Sequence, residues 1–491
     1  MTRATREADE EIYLNPAHRS RIDSFIVMDV MRNAAALEAK GRDIVHMEVG
    51  QPGTPAPRAA RAAVAKALEA DNLGYTLALG MPQLREKIAG LYRDWYGLAI
   101  APERIVVTTG SSGAFVLAFL ALFDAGARVA LPSPGYPCYR HILSTLGCES
   151  VILETGPQTR WMPSPEQVAA LDNVAGLLLA SPANPTGTML EPDRLTALAR
   201  TCAAKGIAFI SDEIYHGLTY GAPAATALQF SPEAFVINSF SKYFSMTGWR
   251  VGWLVVPERF VRVIERLTQN LFIAAPAVAQ VAAIGAFDGF DELEANRRVY
   301  EANRSLLLEE LPRVGFSRLA PADGAFYLYA DVGDLTDDSA ALAARILDEA
   351  GVAVTPGIDF DAARGARYLR FSYSGTTAAM REGVRRGAER AIRRAPLCAH
   401  VRGGRRRRAR ILSPRMPCAE LHAGGGAGRR LRQLAALRSV RQGRGAGRSG
   451  RGDPYPGGVA AGGGIARNFG WGGCCRWCRR GGLNSRPRHY Q

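Results

Sequence analysis

The chain has 491 residues, 47% apolar and 22% charged, enough to bury a large core and to hold two or three domains. Its formal charge of +15 is concentrated at one end: from Pro396 onward there are 21 arginines, no lysine and two acids, which is +19, leaving −4 for residues 1–395. The body is thus mildly acidic. The longest apolar run, Ala114–Phe123, is half a membrane span and reads as a core helix, so no membrane partner is expected.

In chain order, residues 1–45 read as an N-terminal arm and a helix, with apolar spacing over Ile22–Ala39 and a stop at Gly41. Met1–Glu7 is charged and has no apolar run, so no signal peptide is expected. A short strand, His46–Val49, breaks at Gly50-Gln51-Pro52-Gly53, and a helix follows at Arg58–Glu69. Short apolar strands are then expected at Arg104–Thr109, Arg128–Pro132, Ser150–Leu153, Gly176–Ala180, Ile207–Asp212, Ala234–Ser239 and Val251–Val256. Helical segments such as Ser112–Phe123 and Glu191–Lys205 lie between most of them. Nearly continuous apolar strands alternating with helices indicate an α/β sheet covered on both faces. The helix Glu292–Leu311 opens a smaller α+β region. It contains strands at Gly324–Tyr329, Val352–Thr355 and Tyr368–Tyr373 and helices at Ser339–Glu349 and Thr377–Arg394. The expected domains are 1–45, 46–290, 291–394 and a disordered Arg/Gly-rich tail, 395–491, with the N-terminal helix packing on the smaller domain.

Ligands of open α/β sheets sit outside the carboxyl ends of the strands, and the polar residues of this chain gather there. Thr109-Gly110-Ser111-Ser112 opens a helix whose N–H groups can bind phosphate, although small residues before a helix are commonly just a cap. Pro134-Gly135-Tyr136-Pro137 offers an aromatic ring, and Asn184 lies in a turn made rigid by Pro182 and Pro185. Asp212 closes its strand, with Tyr215 three residues on. After Ala234–Ser239 come Lys242, one of only five lysines, and Arg250 eight positions later. A desolvated amine is a nucleophile able to form a Schiff base with a carbonyl. Phosphate cradle, stacking ring, carboxylate for a ring nitrogen, donors for a ring oxygen and an amine together describe a pocket for pyridoxal phosphate.

The motifs Asn184-Pro185-Thr186-Gly187, Asp212-Glu213-Ile214-Tyr215, Ser239-Phe240-Ser241-Lys242 and Gly248-Trp249-Arg250 resemble those of the class I/II aminotransferases of pyridoxal-phosphate fold type I, over roughly residues 10–394. The resemblance implies a mostly parallel seven-stranded sheet with a smaller α+β domain. It implies that Lys242 carries the cofactor and moves the substrate α-proton, that Asp212 keeps the pyridine nitrogen protonated, and that Asn184 and Tyr215 bind the ring oxygen. Ser111, Ser112, Ser239 and Arg250 would hold the phosphate, and Tyr136 would stack on the ring. Arg370, in Leu369-Arg370-Phe371-Ser372, resembles the arginine that clamps the substrate α-carboxylate, and Gly50 the glycine whose backbone approaches it. Tyr75, in Gly74-Tyr75-Thr76, resembles the tyrosine that reaches the phosphate of a second subunit, which implies a homodimer.

The expected function is amino-group exchange between an L-amino acid and a 2-oxo acid by a ping-pong cycle, in amino-acid metabolism and biosynthesis. The alternatives are a C–S β-lyase of the same fold and a regulator using such a domain as a sensor. The latter would need a DNA-binding domain, for which the roughly 45 residues before the first strand are too few. Cys138, Cys148 and Cys202 are scattered through the body, as in a reducing, cytoplasmic setting. The tail departs from the family and its composition suggests a frameshift or read-through extension, with non-specific nucleic-acid binding as the functional rival. Cys474-Cys475-Arg476-Trp477-Cys478 lacks the four spaced ligands of a zinc site, so no metal is expected.

Overall fold

The computed structural model describes residues 15–70 and 73–390, with side chains as far as residue 387. The tail, including the cysteine cluster, and the expected end of the last helix at Arg394 lie outside the described residues.

Seven short strands build one sheet: β1 (Ile105–Thr108), β2 (Arg128–Ser133), β3 (Glu149–Glu154), β4 (Gly176–Ala180), β5 (Ala208–Asp212), β6 (Phe235–Ser239) and β7 (Gly252–Val255). Every residue of β1, β4, β6 and β7 is buried, which is why their sequences run apolar without alternation. The spatial order is β1-β7-β6-β5-β4-β2-β3. Pairs from β6 through β3 are parallel, and β7 runs antiparallel to both β6 and β1. The mostly parallel, helix-flanked sheet is as expected; the antiparallel strand and the order come from the tertiary structure.

Register brings the strand ends together. Ala180 lies opposite Asp212, Asp212 opposite Ile237, and Ser239 and Thr108 both opposite Gly252. The polar residues that follow β1, β4, β5 and β6 therefore share one edge of the sheet. The helix Gly110–Leu122 starts directly after β1. Its sequence, GSSGAFVLAFLAL, is apolar nearly all round, as a helix buried under a sheet must be.

The C-terminal part holds an antiparallel sheet in the order Thr355–Pro356, Tyr368–Ser372, Tyr327–Asp331, Arg318–Leu319. The long helix Phe290–Arg313 precedes it and Thr377–Arg390 follows it. The strand expected to open the larger domain at residue 46 runs instead over Val45–His46 and pairs in parallel with Val352–Ala353. The first helix spans Ile26–Glu38, four residues shorter at its start than its apolar spacing suggests. Phe25 stands at its N-cap and has no side-chain oxygen to offer. Asp359 caps it from a distance, accepting from the Ile26 N–H at 3.1 Å and the Val27 N–H at 3.3 Å. Ala34, Val30 and Leu37 of this helix pack against Ile44, Leu347 and Ala353.

Candidate active site

Asp212 ends β5 with its carboxylate 1% exposed. One oxygen accepts from the Ile214 N–H at 3.1 Å and the other from the Tyr139 hydroxyl. Burial pushes its pKa up to about 6; the hydrogen bonds from Tyr139 and Ile214, and the charge of Lys242, hold it from rising further.

Lys242 projects from the turn after β6. Its amine donates to the Gly50 carbonyl at 2.5 Å and sits 5.7 Å from the ring centre of Tyr215 and 5.9 Å from that of Phe326. Burial lowers its pKa to about 8, with the Arg370 charge acting in the same direction and Asp212 opposing. A fraction of the amine is therefore neutral at physiological pH, as a nucleophile requires.

Arg370 stands on Tyr368–Ser372, 1% exposed. It donates to Asn184 Oδ1 at 2.9 Å, to Thr355 Oγ1 at 3.2 Å and to the Glu48 carbonyl. Its guanidinium lies over the rings of Tyr327 and Phe360, 4.4 and 4.7 Å from their centres, while Nε is buried without a partner. A guanidinium held against two rings keeps a fixed plane for a bidentate partner.

The expected phosphate ligands surround the start of helix Gly110–Leu122. Ser111 and Ser112 lie in its first turn and not before it, so their N–H groups belong to the set without intrahelical partners, and Thr109 provides no side-chain cap. Arg250 leans over the same turn: a Cβ on Gly110 would lie 2.5 Å from Arg250 Nη2. An uncapped helix N-terminus beside a guanidinium is a ready anion site. The Ser239 hydroxyl lies 2.8 Å from that of Ser241 and 3.2 Å from the Val251 carbonyl, so it is tied into the turn that presents Lys242.

Tyr215 is buried, its hydroxyl 2.8 Å from that of Tyr327. Tyr136 packs edge-on against Tyr139, with ring centres 5.2 Å apart, and against Phe25 at 5.7 Å. Lys242, Asp212, Tyr215, Asn184, Arg370 and Gly50 thus belong to one contiguous cluster. Tyr75 does not join it, standing 87% exposed on the surface.

Two residues of this cluster escaped the sequence reading. Tyr139 comes three residues after Tyr136, in the first turn of helix Cys138–Thr145, and its closeness to a flagged aromatic could have drawn attention to it. Tyr327 read as one more residue of an apolar strand, and nothing local set it apart.

Gly50 has no room for a side chain: a Cβ would lie 1.8 Å from the Tyr327 hydroxyl oxygen. Gly50→Ala is expected to lose about 1–3 kcal/mol of stability from overpacking and to displace the Lys242 acceptor. The midpoint of urea unfolding reports the first effect, and an unchanged midpoint would show that Tyr327 simply moves aside.

The sequence model of the family "Aminotransferase class I and II" matches residues 42–386, and the chain belongs to this pyridoxal-phosphate-dependent family. It is a transaminase, and the β-lyase alternative finds no support. A valine–pyruvate aminotransferase of Mycobacterium tuberculosis is 50% identical over 375 residues, covering 75% of this chain and 97% of that one. The crystal structure of an aminotransferase from the same organism shares 49% identity with a TM-score of 0.75, covering 77% of this chain and 98% of that one. An aspartate aminotransferase from Thermus thermophilus, solved with maleate, shares 31% identity with a TM-score of 0.73, covering 77% and 99%.

Proposed function

We propose that this transaminase holds pyridoxal phosphate in the Lys242–Asp212 pocket and exchanges amino groups between an aliphatic L-amino acid and a 2-oxo acid by a ping-pong cycle. The observation that carries the reading is the convergence of a part-buried amine, a buried carboxylate and a stacked arginine on one strand edge. The residues fit the group. An uncapped helix N-terminus and Arg250 suit its phosphate, Asp212 a ring nitrogen, and Asn184 and Tyr215 a ring oxygen. Ser239 holds the turn behind the phosphate contacts, and the Tyr136 ring is available to stack. When bound, the cofactor supplies a carbonyl carbon that an amine can hold and a ring that accepts electrons from the substrate α-carbon.

The remaining work falls to the chain. Arg370 binds the α-carboxylate with its planar fork, and the Gly50 backbone lies beside it. Lys242 Nζ would take the proton from the substrate α-carbon, hold it, and be placed to give it to the cofactor carbon on the far side of the amino nitrogen. Asp212 keeps the ring nitrogen charged, and Tyr139 and the Ile214 N–H fix the orientation of that carboxylate. The aliphatic donor is supported by the name of the half-identical valine–pyruvate relative. The test is a panel of single amino acids mixed with the purified holoenzyme. Valine and alanine should bleach the absorbance of the lysine-bound cofactor, and a panel in which no amino acid does so would sink the reading.

A homodimer belongs to the same proposal. The segment bearing Tyr75 is tied to helix Ala277–Ala286 by Gln280 Nε2 donating to Thr76 Oγ1 at 2.9 Å, and Leu77, Ile273 and Val278 nearby in this region are exposed. A second copy would cover these apolar side chains and place Tyr75 at its phosphate site. We further infer a reducing, cytoplasmic setting, supported by Cys138, Cys148 and Cys202 being unpaired. Among the described residues no helix is long and apolar enough to cross a membrane.

The 21 arginines from Pro396 onward are expected to retain RNA at low salt and release it at high salt, because phosphate neutralisation needs no particular fold. A chain ending at residue 395 should lose this retention and keep its transaminase rate; retention by the shortened chain would place the nucleic-acid contact in the body.

A further inference from the structure

Tyr327 occupies a position that the reaction as described leaves unused. It is buried on the strand Tyr327–Asp331, with its hydroxyl 2.8 Å from that of Tyr215. The Arg370 guanidinium carbon lies 4.4 Å from its ring centre. The same hydroxyl fills the space above Gly50, whose carbonyl accepts from Lys242. One phenol therefore touches the ring-oxygen donor, the carboxylate clamp and the backbone that receives the amine.

We propose that Tyr327 is a positioning residue that couples Arg370 to Tyr215, so that a carboxylate in the clamp alters how strongly Tyr215 donates to the cofactor's ring oxygen. The inference rests on the roles given above to Arg370 and Tyr215. A phenol has one proton. If Tyr215 gives its proton to the ring oxygen, its own oxygen is left to accept from Tyr327, and the two hydroxyls form a chain in which each bond polarises the next. Burial raises the pKa of both phenols, so both stay neutral donors. The Arg370 charge pulls both phenols partly back down, and at Tyr327 it is the main cause opposing burial.

A carboxylate bound at Arg370 offsets that charge and weakens the chain. More electron density then stays on the ring oxygen, and the proton it shares with the Lys242 nitrogen is held more tightly. The other ionisable groups facing this cluster are Lys242 and Asp212 from the strand ends, Tyr136 from the loop after β2, Tyr139 from the helix that follows it, and Tyr373 beyond the end of the Arg370 strand. The direct hydrogen bond from Arg370 to Asn184 Oδ1 at 2.9 Å is a second route, so some coupling should persist without Tyr327.

Tyr327→Phe removes the hydroxyl and keeps the ring under Arg370. The measurement is the pH titration of the lysine-bound cofactor's absorbance in the holoenzyme, with and without saturating 3-methylbutanoate, a carboxylate that has no amino group to react. In the unmodified enzyme the titration midpoint should rise when the carboxylate binds. In Tyr327→Phe the ligand-free midpoint should start higher by a few tenths of a pH unit, because the lost phenol–phenol bond reaches the ring oxygen only by polarising Tyr215, strengthening its bond by ~10–30%. The further rise on adding the carboxylate should be at most half as large. Midpoints and rises equal to those of the unmodified enzyme would overturn the coupling and leave the function standing. No rise in the unmodified enzyme would overturn both the clamp and the coupling. The double variant Tyr215→Phe with Tyr327→Phe should titrate like Tyr215→Phe alone, and additive midpoints would show that Tyr327 does not act through Tyr215.

Discussion

Lys242→Ala is expected to abolish transamination, with turnover falling at least about 10⁴-fold, while the protein still folds. The loss follows from the amine's surroundings. Lys242 is the lysine that the sheet edge presents to Asp212 and Arg370, and burial brings its pKa down to about 8. Lys205, by contrast, is an exposed residue at a helix end that donates to the Ala169 carbonyl at 2.6 Å. Folding should survive because the Lys242 side chain makes a single hydrogen bond, to Gly50, worth about 1 kcal/mol. The variant also removes a cation that the fold holds with difficulty. An unfolded lysine stays protonated up to about 10.5 and the folded one only to about 8, so between these values the unfolded chain binds more protons. In the cofactor-free protein this group therefore adds to stability as pH rises through that window, and the alanine variant should lack that increment. Borohydride reduction followed by mass spectrometry should find the cofactor on Lys242 of the unmodified enzyme; finding it on Lys205 would end the assignment.

Asp212→Asn should separate stability from catalysis. In the cofactor-free protein the carboxylate is buried, with its pKa raised from 3.8 to about 6, a penalty of about 3 kcal/mol once it is ionised. Between these two values the folded state binds more protons than the unfolded one. Stability therefore falls as pH rises through the window, and the full cost is present above about 6. The amide carries no charge, so the variant should unfold at higher denaturant concentration at pH 7 and show no such decline between pH 4 and 6. Turnover should drop by about 10²–10⁴-fold, because an amide cannot keep the ring nitrogen protonated. Single-turnover absorbance changes at saturating amino acid give the chemical rate. A near-normal rate would reduce Asp212 to a structural role, and an unchanged stability curve would show that the carboxylate is better solvated than its burial indicates. Natural active sites keep such costly groups because the geometry that strains the empty fold is the one that serves the reaction.

Much of this site was legible because its residues follow strands whose own composition declares them. β4 is a continuous apolar run and β5 and β6 open as apolar runs, and Asn184, Asp212 and Lys242 come just past or at the ends of those strands. An unpaired polar residue at the end of a buried strand has few places to be except the sheet edge, so sequence position alone implied spatial convergence. Arg250 was singled out by its place eight positions after Lys242, and its phosphate role came with the resemblance carried by Gly248-Trp249-Arg250.

Other features were not legible because their partners are remote in the chain. Asp359 sets where the first helix starts by capping Ile26 and Val27 from more than 330 residues away. Tyr139 matters through Asp212, 73 residues on, and Tyr327 through Tyr215, 112 residues back. Local composition carries no trace of such contacts, since a tyrosine in an apolar stretch is ordinarily core.

The sequence by itself thus determined the alternation of buried strands and covering helices and the chemistry waiting at the strand ends. Periodicity and desolvation act within a few residues, so they leave their mark on the local pattern. The tertiary structure alone decided the strand order, the reversal of β7, the pairing of Val45–His46 with Val352–Ala353, and the hydroxyl chain under Arg370. Those depend on which surfaces meet once the chain has closed, and the closing contacts span distances that no local pattern records.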